Sequence, residues 1–204
     1  MIAIADYGMG NRRSVEKALA HVGAESVVTA DHEVIRAAHA VILPGVGAFP
    51  EAMRNLDRTG LGEVLSERAA AGVPLLGICL GMQLLFESST EHEGAAGLGI
   101  LPGTVTRLRS PRLPHIGWNL VTFERESALT EGLGDAAAFY HVHSFAYRPA
   151  DPTDTVGRSE YGERFASIVE RDNVMAAQFH PEKSSRDGLH MLRNFAELAA
   201  VAVA

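Results

Sequence analysis

The stretch that most limits the fold is Pro74-Leu-Leu-Gly-Ile-Cys-Leu-Gly-Met-Gln-Leu-Leu-Phe86, which holds the only cysteine of the chain. The apolar run before Cys79 predicts a buried strand, and residues 80–86 predict the start of a helix. Gly77 and Gly81 stand two residues to either side of the cysteine, and glycine allows close backbone packing at such a sharp turn. The pattern Gly-x-Cys-x-Gly therefore matches a nucleophile elbow that carries cysteine in place of serine.

Two interpretations of Cys79 remain open at this point. A thiol at the start of a helix faces the positive end of the helix dipole, about half a unit charge, which favours the reactive thiolate. Free cysteine is also among the most commonly buried residue types, so a buried structural thiol is the alternative. The strand, turn and helix around the cysteine favour the nucleophile.

Length and composition exclude several classes of protein. A chain of 204 residues fits one domain with a substantial core. The net charge of −7 argues against nucleic acid or an anionic membrane as the main partner. One cysteine cannot form an internal disulfide, which suits a reducing cytoplasm. The N-terminus lacks the basic region of a signal peptide, and no apolar run approaches the ~18–20 residues of a membrane span.

Apolar runs alternate with helical patterns up to residue 88. Strands are predicted at 2–5, 26–29, 40–43 and 73–78, with helices at 14–22, from 50 and at 61–71 and a short helix or turn at 31–38. This alternation predicts βαβ units around a parallel sheet, and ligand sites in such sheets lie at the carboxyl ends of the strands. Residues 8–11, residues 44–47 and Cys79 each follow a predicted strand, so we expect them to share one edge. Asn11 is a candidate cap for the first helix.

The second half predicts a different arrangement. A polar loop is expected at 88–97, followed by strands at 104–109, 120–123, 139–147, 166–170 and 174–179 and a closing helix at 186–201. Hairpin-like links between these strands predict antiparallel or mixed pairing. The whole chain is therefore expected to be an α/β domain with a central, mostly parallel mixed sheet, flanking helices and a more antiparallel second half.

A thiol nucleophile needs a base and a group that orients the base. His180 follows an apolar strand, so it should reach the same edge as Cys79, and Pro181 favours an extended backbone at His180. Residues two apart in extended chain project to one side, which places Glu182 beside the imidazole ring. A carboxylate there fixes the tautomer and stabilises the imidazolium. An ordinary turn after a strand is the alternative interpretation.

Three other histidines compete for a role. His141 and His143 point to one side of a strand, where they could act as a pair of bases or as two metal ligands. A metal site needs three or four ligands, and the sequence indicates no third, so a polar strand face is favoured and no metal is expected. His115 lies in Leu113-Pro-His-Ile-Gly-Trp-Asn119, which predicts a rigid loop on which Trp118 packs.

Backbone N–H groups are the expected donors for an oxyanion. Leu80 N–H follows the nucleophile, and the segment Gly45-Val46-Gly47 can turn a second N–H inward because glycine frees the peptide plane. A plain strand-to-helix turn at residues 44–47 is the alternative. A phosphate loop is disfavoured, since neither G-x-x-x-x-G-K-[ST] nor G-x-G-x-x-G is present.

Together these segments resemble the class I glutamine amidotransferases, a family with a Cys-His-Glu triad and a flavodoxin-like fold. The resemblance is carried by Gly77-Ile-Cys-Leu-Gly-Met-Gln83 and His180-Pro-Glu182. It narrows to one branch, the glutaminase subunits of imidazole glycerol phosphate synthase. The branch is indicated by Asp6-Tyr-Gly-Met-Gly-Asn11, Pro44-Gly-Val-Gly-Ala-Phe49, Leu113-Pro-His-Ile-Gly-Trp-Asn119, Tyr140-His-Val-His-Ser144 and His180-Pro-Glu-Lys-Ser184. It implies one glutamine amidotransferase type 1 domain over 1–204.

The resemblance implies a role for each matching residue. Cys79 attacks the side-chain amide of L-glutamine, and His180, oriented by Glu182, protonates the ammonia and then activates water. The implied oxyanion donors lie at Val46, Gly47 and Leu80. The implied substrate contacts are Gly47, Gln83, His143 and Ser144. No cofactor is implied.

The resemblance also implies a partner. Ammonia passes to a (β/α)8-barrel cyclase subunit in a 1:1 heterodimer, which makes imidazole glycerol phosphate and an aminoimidazole carboxamide ribotide in histidine biosynthesis. The residues implied to face it are Gly10, Asn11, Arg12, Tyr140 and Lys183. Arg12 departs from the branch, which has an apolar residue there, so that contact differs in detail. Because Gly45-Val46-Gly47 is flexible, we expect a low basal glutaminase rate until the partner carries its substrate.

Two other functions are compatible with the elbow. A stand-alone cysteine hydrolase of the α/β-hydrolase type has the triad order nucleophile, acid, histidine, whereas Glu182 follows His180 here. A non-catalytic scaffold that only binds a partner is disfavoured by the complete set of Cys79, His180 and Glu182. Turnover of glutamine would indicate the amidotransferase, turnover of esters without glutamine would indicate the hydrolase, and no turnover would indicate the scaffold.

Overall fold

The computed structural model describes residues 1–201, so the last three positions of the predicted domain lie outside the described residues. The helices are Arg12–His21 (α1), His32–Ala37 (α2), Phe49–Thr59 (α3), Leu61–Ala70 (α4), Leu80–Leu84 (α5) and Ser185–Val201 (α6). The strands, numbered β1 to β13, are Ile2–Ala5, Ser26–Thr29, Ala40–Gly45, Leu75–Cys79, Ser88–Ser89, Ala95–Ala96, Gly103–Arg107, His115–Phe123, Ala136–His143, Phe145–Pro149, Thr155–Glu160, Arg164–Arg171 and Val174–Ala177. Within residues 1–201, none of the helices combines the length and the apolar character that crossing a membrane requires.

A nine-stranded mixed sheet forms the centre of the fold, in the order β2-β1-β3-β4-β13-β12-β11-β8-β9. The five strands from β2 to β13 pair in parallel, and the pairs from β13 to β9 are antiparallel. A smaller sheet, β10-β7-β5-β6, packs beside it. The expected α/β fold, with a parallel first half and an antiparallel second half, is therefore confirmed.

Helices cover both faces of the parallel half, so its strands are buried on both sides. All four residues of β1 and all six of β3 are buried, which explains their uninterrupted apolar sequences. Alternate residues feed two separate cores: Ala3 and Ala5 join the one under α3 and α4, whereas Ile2 and Ile4 join the one under α1 and α6. With both faces covered by helices, these strands can meet a ligand only at their ends.

The carboxyl ends of the central strands meet at one edge, as expected from the alternation of strands and helices. Gly45 at the end of β3 pairs with Cys79 at the end of β4. β13, the other neighbour of β4, leads into the segment that carries His180. The chain after β1 enters α1 at the same edge, where Asn11 contacts the His180 segment. Asn11, the segment 45–47, Cys79 and the His180–Glu182 segment therefore come from four adjacent strand ends, whereas Tyr140, His143 and Ser144 come from β9 and the residue after it.

The second half departs from the predictions at several places. The predicted strand at 139–147 is two strands in different sheets, β9 and β10, because the chain leaves the large sheet at Ser144. The segment predicted as a rigid loop around Trp118 is the first half of β8, and Trp118 is 56% exposed. Pro114 directly precedes this strand, after a cis Leu113–Pro114 bond, and Gly117 lies within it. The predictions also missed β11, and β5 and β6 lie inside the predicted polar loop.

Candidate active site

The strand-to-helix turn at Cys79 has the strained geometry of a nucleophile elbow. Cys79 is the last residue of β4 and has φ 55° and ψ −110°, a region that a residue with a side chain rarely adopts. A Cβ at Gly81 would lie 1.8 Å from the Leu43 carbonyl oxygen, and one at Gly77 would lie 2.8 Å from Met82 Cα. Both glycines are therefore required by contact, as the sequence pattern indicated.

The helix after the elbow is shorter than predicted. α5 ends at Leu84 and comprises little more than one turn. Few aligned peptide dipoles contribute to its N-terminus, so the dipole effect predicted for the thiol is smaller than that of a long helix. The imidazole of His180 is a second electrostatic neighbour of Cys79, since Cys79 raises the pKa of that histidine.

His180 and Glu182 form a buried pair beside the elbow. His180 Nδ1 lies 2.8 Å from Glu182 Oε1, and the two side chains are 1% and 0% exposed. The His180 backbone is extended, as Pro181 predicts, but residues 181–183 then form a 3₁₀ turn that brings the carboxylate back. Asn11 Nδ2 donates a second hydrogen bond, of 3.0 Å, to the same oxygen. The carboxylate is thus held in place from two sides.

The surroundings of His180 favour its protonated form. Burial on its own lowers the pKa of this histidine, but Cys79 and Glu182 outweigh burial and raise the pKa to about 10. His180 Nε2 makes no hydrogen bond within residues 1–201, and the thiol of Cys79 contacts the Val142 carbonyl oxygen at 3.9 Å. The His180 ring is therefore protonated on both nitrogens at neutral pH. Its Nε2 has no hydrogen-bond partner among the described residues.

A cavity of about 250 Å³ opens above the thiol. It is lined by Cys79, by the predicted oxyanion residues Val46, Gly47 and Leu80, by the predicted substrate residues Gln83, His143 and Ser144, and by Glu91, Pro114, Val142 and Phe145. Gly47 has φ +113°, a backbone conformation that favours glycine because a Cβ makes it strained. A larger hollow of about 940 Å³, lined by Glu170 and by most of the residues between Phe123 and Asp135, contains none of the predicted site residues.

Gln83 is fixed by two hydrogen bonds that the sequence did not predict. Its Nε2 donates to the Phe145 carbonyl oxygen and to Gln178 Oε1, each at 3.1 Å. Both amide hydrogens are thus engaged inside the protein, and Oε1 is the Gln83 atom left for a ligand. Gln178 is fully buried two residues before His180. A glutamine inside the apolar run 174–179 was the sequence signal that could have indicated this hydrogen bond.

The residues predicted to face a partner lie in different settings. Asn11 stands at the N-cap position of α1 but makes no capping bond, because its side chain contacts Glu182 instead. Arg12 forms an ion pair with Asp6 of its own chain. Gly10 takes φ +107°, and Lys183 is exposed. Arg12 is therefore engaged within the chain in this conformation.

An exposed apolar patch, which we call the β8–β9 patch, lies beside Tyr140. Its β8 members Ile116, Trp118 and Leu120 are 59%, 56% and 55% exposed. On β9 they are paired with Val142, Tyr140 and Ala138, respectively. Side chains two apart on a strand share a face, so the patch is continuous, and contiguous exposed apolar surface marks an interaction site. Large apolar residues at every second position from 116 to 120 were the sequence signal for this strand face, and the prediction missed it.

Comparison with known proteins decides the family. Residues 3–198 match the family model described as glutamine amidotransferase class-I. The chain belongs to the class-I glutamine amidotransferase family. Among curated members, imidazole glycerol phosphate synthase subunit HisH of Bacillus cereus is 53% identical over 196 residues, 96% of this chain and 93% of that protein. The subunit HisH of Moorella thermoacetica is 52% identical over 198 residues, 97% and 94% of the two chains, and that of Aquifex aeolicus is 50% identical over 194 residues, 94% of each.

Two solved structures have a fold similar to that of this amidotransferase. A crystal structure of a glutamine amidotransferase has a TM-score of 0.78 at 23% identity and covers 98% of both chains. The crystal structure of a putative GMP synthase component from Thermoplasma acidophilum has a TM-score of 0.76 at 19% identity, covering 98% of this chain and 94% of that one. At such low identity the likeness concerns the fold alone, and it supports the class-I amidotransferase architecture.

Proposed function

We propose that this class-I glutamine amidotransferase hydrolyses L-glutamine to glutamate and ammonia and delivers the ammonia to a cyclase subunit in histidine biosynthesis. The observation that carries the proposal is the strained Cys79 elbow, next to the buried His180–Glu182 pair and open to a cavity of about 250 Å³. Relatives about half identical over nearly their full length are subunits of imidazole glycerol phosphate synthase, which supports the biosynthetic role.

The proposed reaction uses the side chains around the elbow. The proton of the Cys79 thiol resides on His180, so Sγ attacks the side-chain amide carbon of glutamine as a thiolate, and backbone N–H groups of Leu80 and of the Val46–Gly47 segment stabilise the oxyanion. The protonated His180 gives this proton to the leaving amide nitrogen, which departs as ammonia and leaves a thioester on Cys79. The neutral His180 then takes a proton from water as the water attacks the thioester, which releases glutamate and restores the thiolate and the protonated His180.

The cavity offers groups suited to the charged end of free glutamine. Glu91 lines it, and its Oε2 accepts a 2.8 Å hydrogen bond from the Phe49 N–H. An ionised carboxylate at this position pairs with the α-ammonium group of the substrate. Gln83 Oε1 and the backbone of His143 and Ser144 offer further hydrogen-bonding groups.

A docked partner accounts for the exposed β8–β9 patch. Ammonia released into water at neutral pH is protonated and lost as a nucleophile, so its transfer needs a sheltered path. We propose a 1:1 complex with a (β/α)8-barrel cyclase subunit in the cytoplasm, which covers the patch together with Gly10, Asn11, Arg12 and Lys183. Tryptophan and tyrosine, here Trp118 and Tyr140, are the residue types that contribute most at protein interfaces.

The function is tested by measuring glutamate release with and without the cyclase subunit and its nucleotide-like ligand. We expect slow release from the isolated chain and strongly faster release from the liganded complex, because Gly45-Val46-Gly47 can turn its oxyanion donor away at rest. Fast release that the partner leaves unchanged contradicts the coupling. Ester turnover without glutamine turnover selects a stand-alone hydrolase, and no turnover in the liganded complex selects a scaffold.

Replacing Trp118 by alanine tests the proposed interface. Truncation of a central interface tryptophan typically costs about 2 kcal/mol or more, which corresponds to about a 30-fold higher partner concentration for half-maximal stimulation. The measurement is a titration of glutamate release against the cyclase subunit, and saturating partner should restore the rate. Glu33→Ala on α2, where the side chain is 82% exposed, is the control. An unchanged titration for Trp118→Ala places the partner elsewhere.

A further inference from the structure

Three buried histidines next to the substrate cavity form a cluster whose imidazole rings have no part in the proposed glutamine chemistry, which uses only the backbone of His143. We propose that His115, His141 and His143 form a binding site for a divalent transition-metal cation of the Zn²⁺ class. The site is separate from the Cys79–His180 pair, and the inference does not depend on the proposed function.

Strand pairing supplies the third ligand that the sequence did not indicate. β8 and β9 are antiparallel, and their register sets His115 directly opposite His143. His141 stands two residues before His143 on β9 and so projects to the same face. All three side chains turn inward, with residue exposures of 2%, 0% and 6%.

The ring nitrogens converge on one point. His143 Nε2 lies 3.2 Å from His115 Nδ1 and 3.2 Å from His141 Nδ1, and one nitrogen of each ring lies within 4.8 Å of the others. A tetrahedral zinc ion with Zn–N bonds of about 2.0–2.1 Å spaces its nitrogen ligands about 3.3–3.4 Å apart. The two shorter separations are therefore close to the edges of a coordination tetrahedron.

Hydrogen bonding within the protein leaves this cluster unsatisfied. His143 Nδ1 is 2.9 Å from the Phe145 carbonyl oxygen, so it carries the ring proton and leaves one lone pair on Nε2. That single lone pair faces two Nδ1 atoms and can accept fully from one of them. His141 Nε2 is buried without a partner among the described residues, so either tautomer of His141 leaves one nitrogen unpaired. A cation that accepts three lone pairs removes the conflict at the junction.

Aromatic rings surround the cluster. Phe165 stands edge-on to all three histidine rings, with ring centroids 5.2 to 6.0 Å apart, and Phe179 lies 5.5 Å from His141. An apolar shell of this kind holds the imidazole rings in place around the shared point.

Binding requires a local adjustment of two rings. His115 and His141 lie nearly parallel, with an interplanar angle of 23° and centroids 4.7 Å apart, so one of them must turn to bring a shared ion into both ring planes. His115 Nε2 also lies 3.3 Å from Asn119 Nδ2. A metal on Nδ1 places the proton on Nε2, so this amide must shift or turn over.

Zinc titration of the full chain tests the site, and it is carried out in a Cys79→Ala background because a thiolate and His180 could also hold zinc. We expect one Zn²⁺ per chain by calorimetry and elemental analysis, an increased melting temperature, and a Co²⁺ d–d absorption spectrum typical of nitrogen ligands. Adding His141→Phe should abolish all three signals, and phenylalanine suits the surrounding aromatic rings.

Three results would overturn the site. They are a flat zinc titration in the Cys79→Ala background, zinc binding that His141→Phe leaves unchanged, and zinc binding that is lost equally on replacing His21, which lies at the end of α1 outside the cluster. Because His141→Phe must be folded for a valid result, its circular dichroism and its melting temperature without metal are compared with those of the background. If it is unfolded, His115→Gln takes its place with the same expected loss of zinc.

Discussion

Replacing Cys79 by alanine is expected to lower glutamate release from glutamine by about 10⁴-fold or more, because loss of one member of a catalytic triad removes most of its effect. The elbow brings together the thiol, the His180 ring and the N–H of Leu80, and alanine removes only the sulfur. The backbone strain at φ 55° is the same for alanine as for cysteine. The fold and the partner affinity should therefore persist.

Glutamate release by Cys79→Ala is best measured in the complex with the liganded cyclase subunit, where the parent rate is highest. Cys79→Ser is the matched control, since a hydroxyl is a weaker nucleophile that keeps the size of the side chain. Partner binding by both variants, measured by calorimetry, separates chemistry from assembly. Retention of more than a tenth of the glutaminase rate by Cys79→Ala would exclude this residue as the nucleophile.

Replacing Glu182 by glutamine is expected to lower the glutaminase rate by about 10²- to 10⁴-fold, by analogy with the loss of a triad carboxylate. The carboxylate accepts the 2.8 Å contact from His180 Nδ1 and holds Asn11, and both side chains of the pair are buried. Glutamine keeps an oxygen for these contacts but removes the charge. Glu182→Ala, which removes the oxygen as well, should be slower than Glu182→Gln. Equal rates for Glu182→Gln and the parent chain would exclude an electrostatic role.

The same variant should change the pH dependence of stability. His180 has a raised pKa of about 10 in the folded protein, against about 6.5 when unfolded. A group whose pKa is raised by folding stabilises the folded state fully below the unfolded pKa, and this contribution is lost as pH rises through the folded pKa. The free energy of unfolding should thus fall between about pH 6.5 and 10 in the parent chain. Denaturant titrations of Glu182→Gln at these pH values should show a smaller fall.

The proposed metal site and the proposed active site illustrate different limits of sequence reasoning. Cys79 between Gly77 and Gly81, and His180 two residues before Glu182, are short-range patterns whose backbone geometry is nearly set by the residues themselves. The third member of the histidine cluster is not of this kind. His115 meets His143 through the register of two strands, and 28 positions separate them along the chain.

Strand pairing and long-range contacts also determine which side chains are exposed and which partners they contact. Trp118 lies on an outward strand face, although its proline- and glycine-marked surroundings predicted a packed loop, and a shift by one residue would have turned it inward. Asn11 contacts Glu182 across 171 positions instead of capping α1. Likewise, the chain switches sheets at Ser144 because β10 pairs with β7, a choice that depends on residues about 40 positions away.

The parallel half of the sheet, the elbow and the closeness of His180 to Glu182 follow from local sequence, because apolar periodicity, glycine contacts and an extended His-Pro step act over a few residues. The exposed β8–β9 patch, the anchoring of Gln83 by Gln178 and the convergence of three histidines became visible in the folded chain alone. Those features depend on which strands pair and in which register, and that is set by the free energy of packing the whole chain.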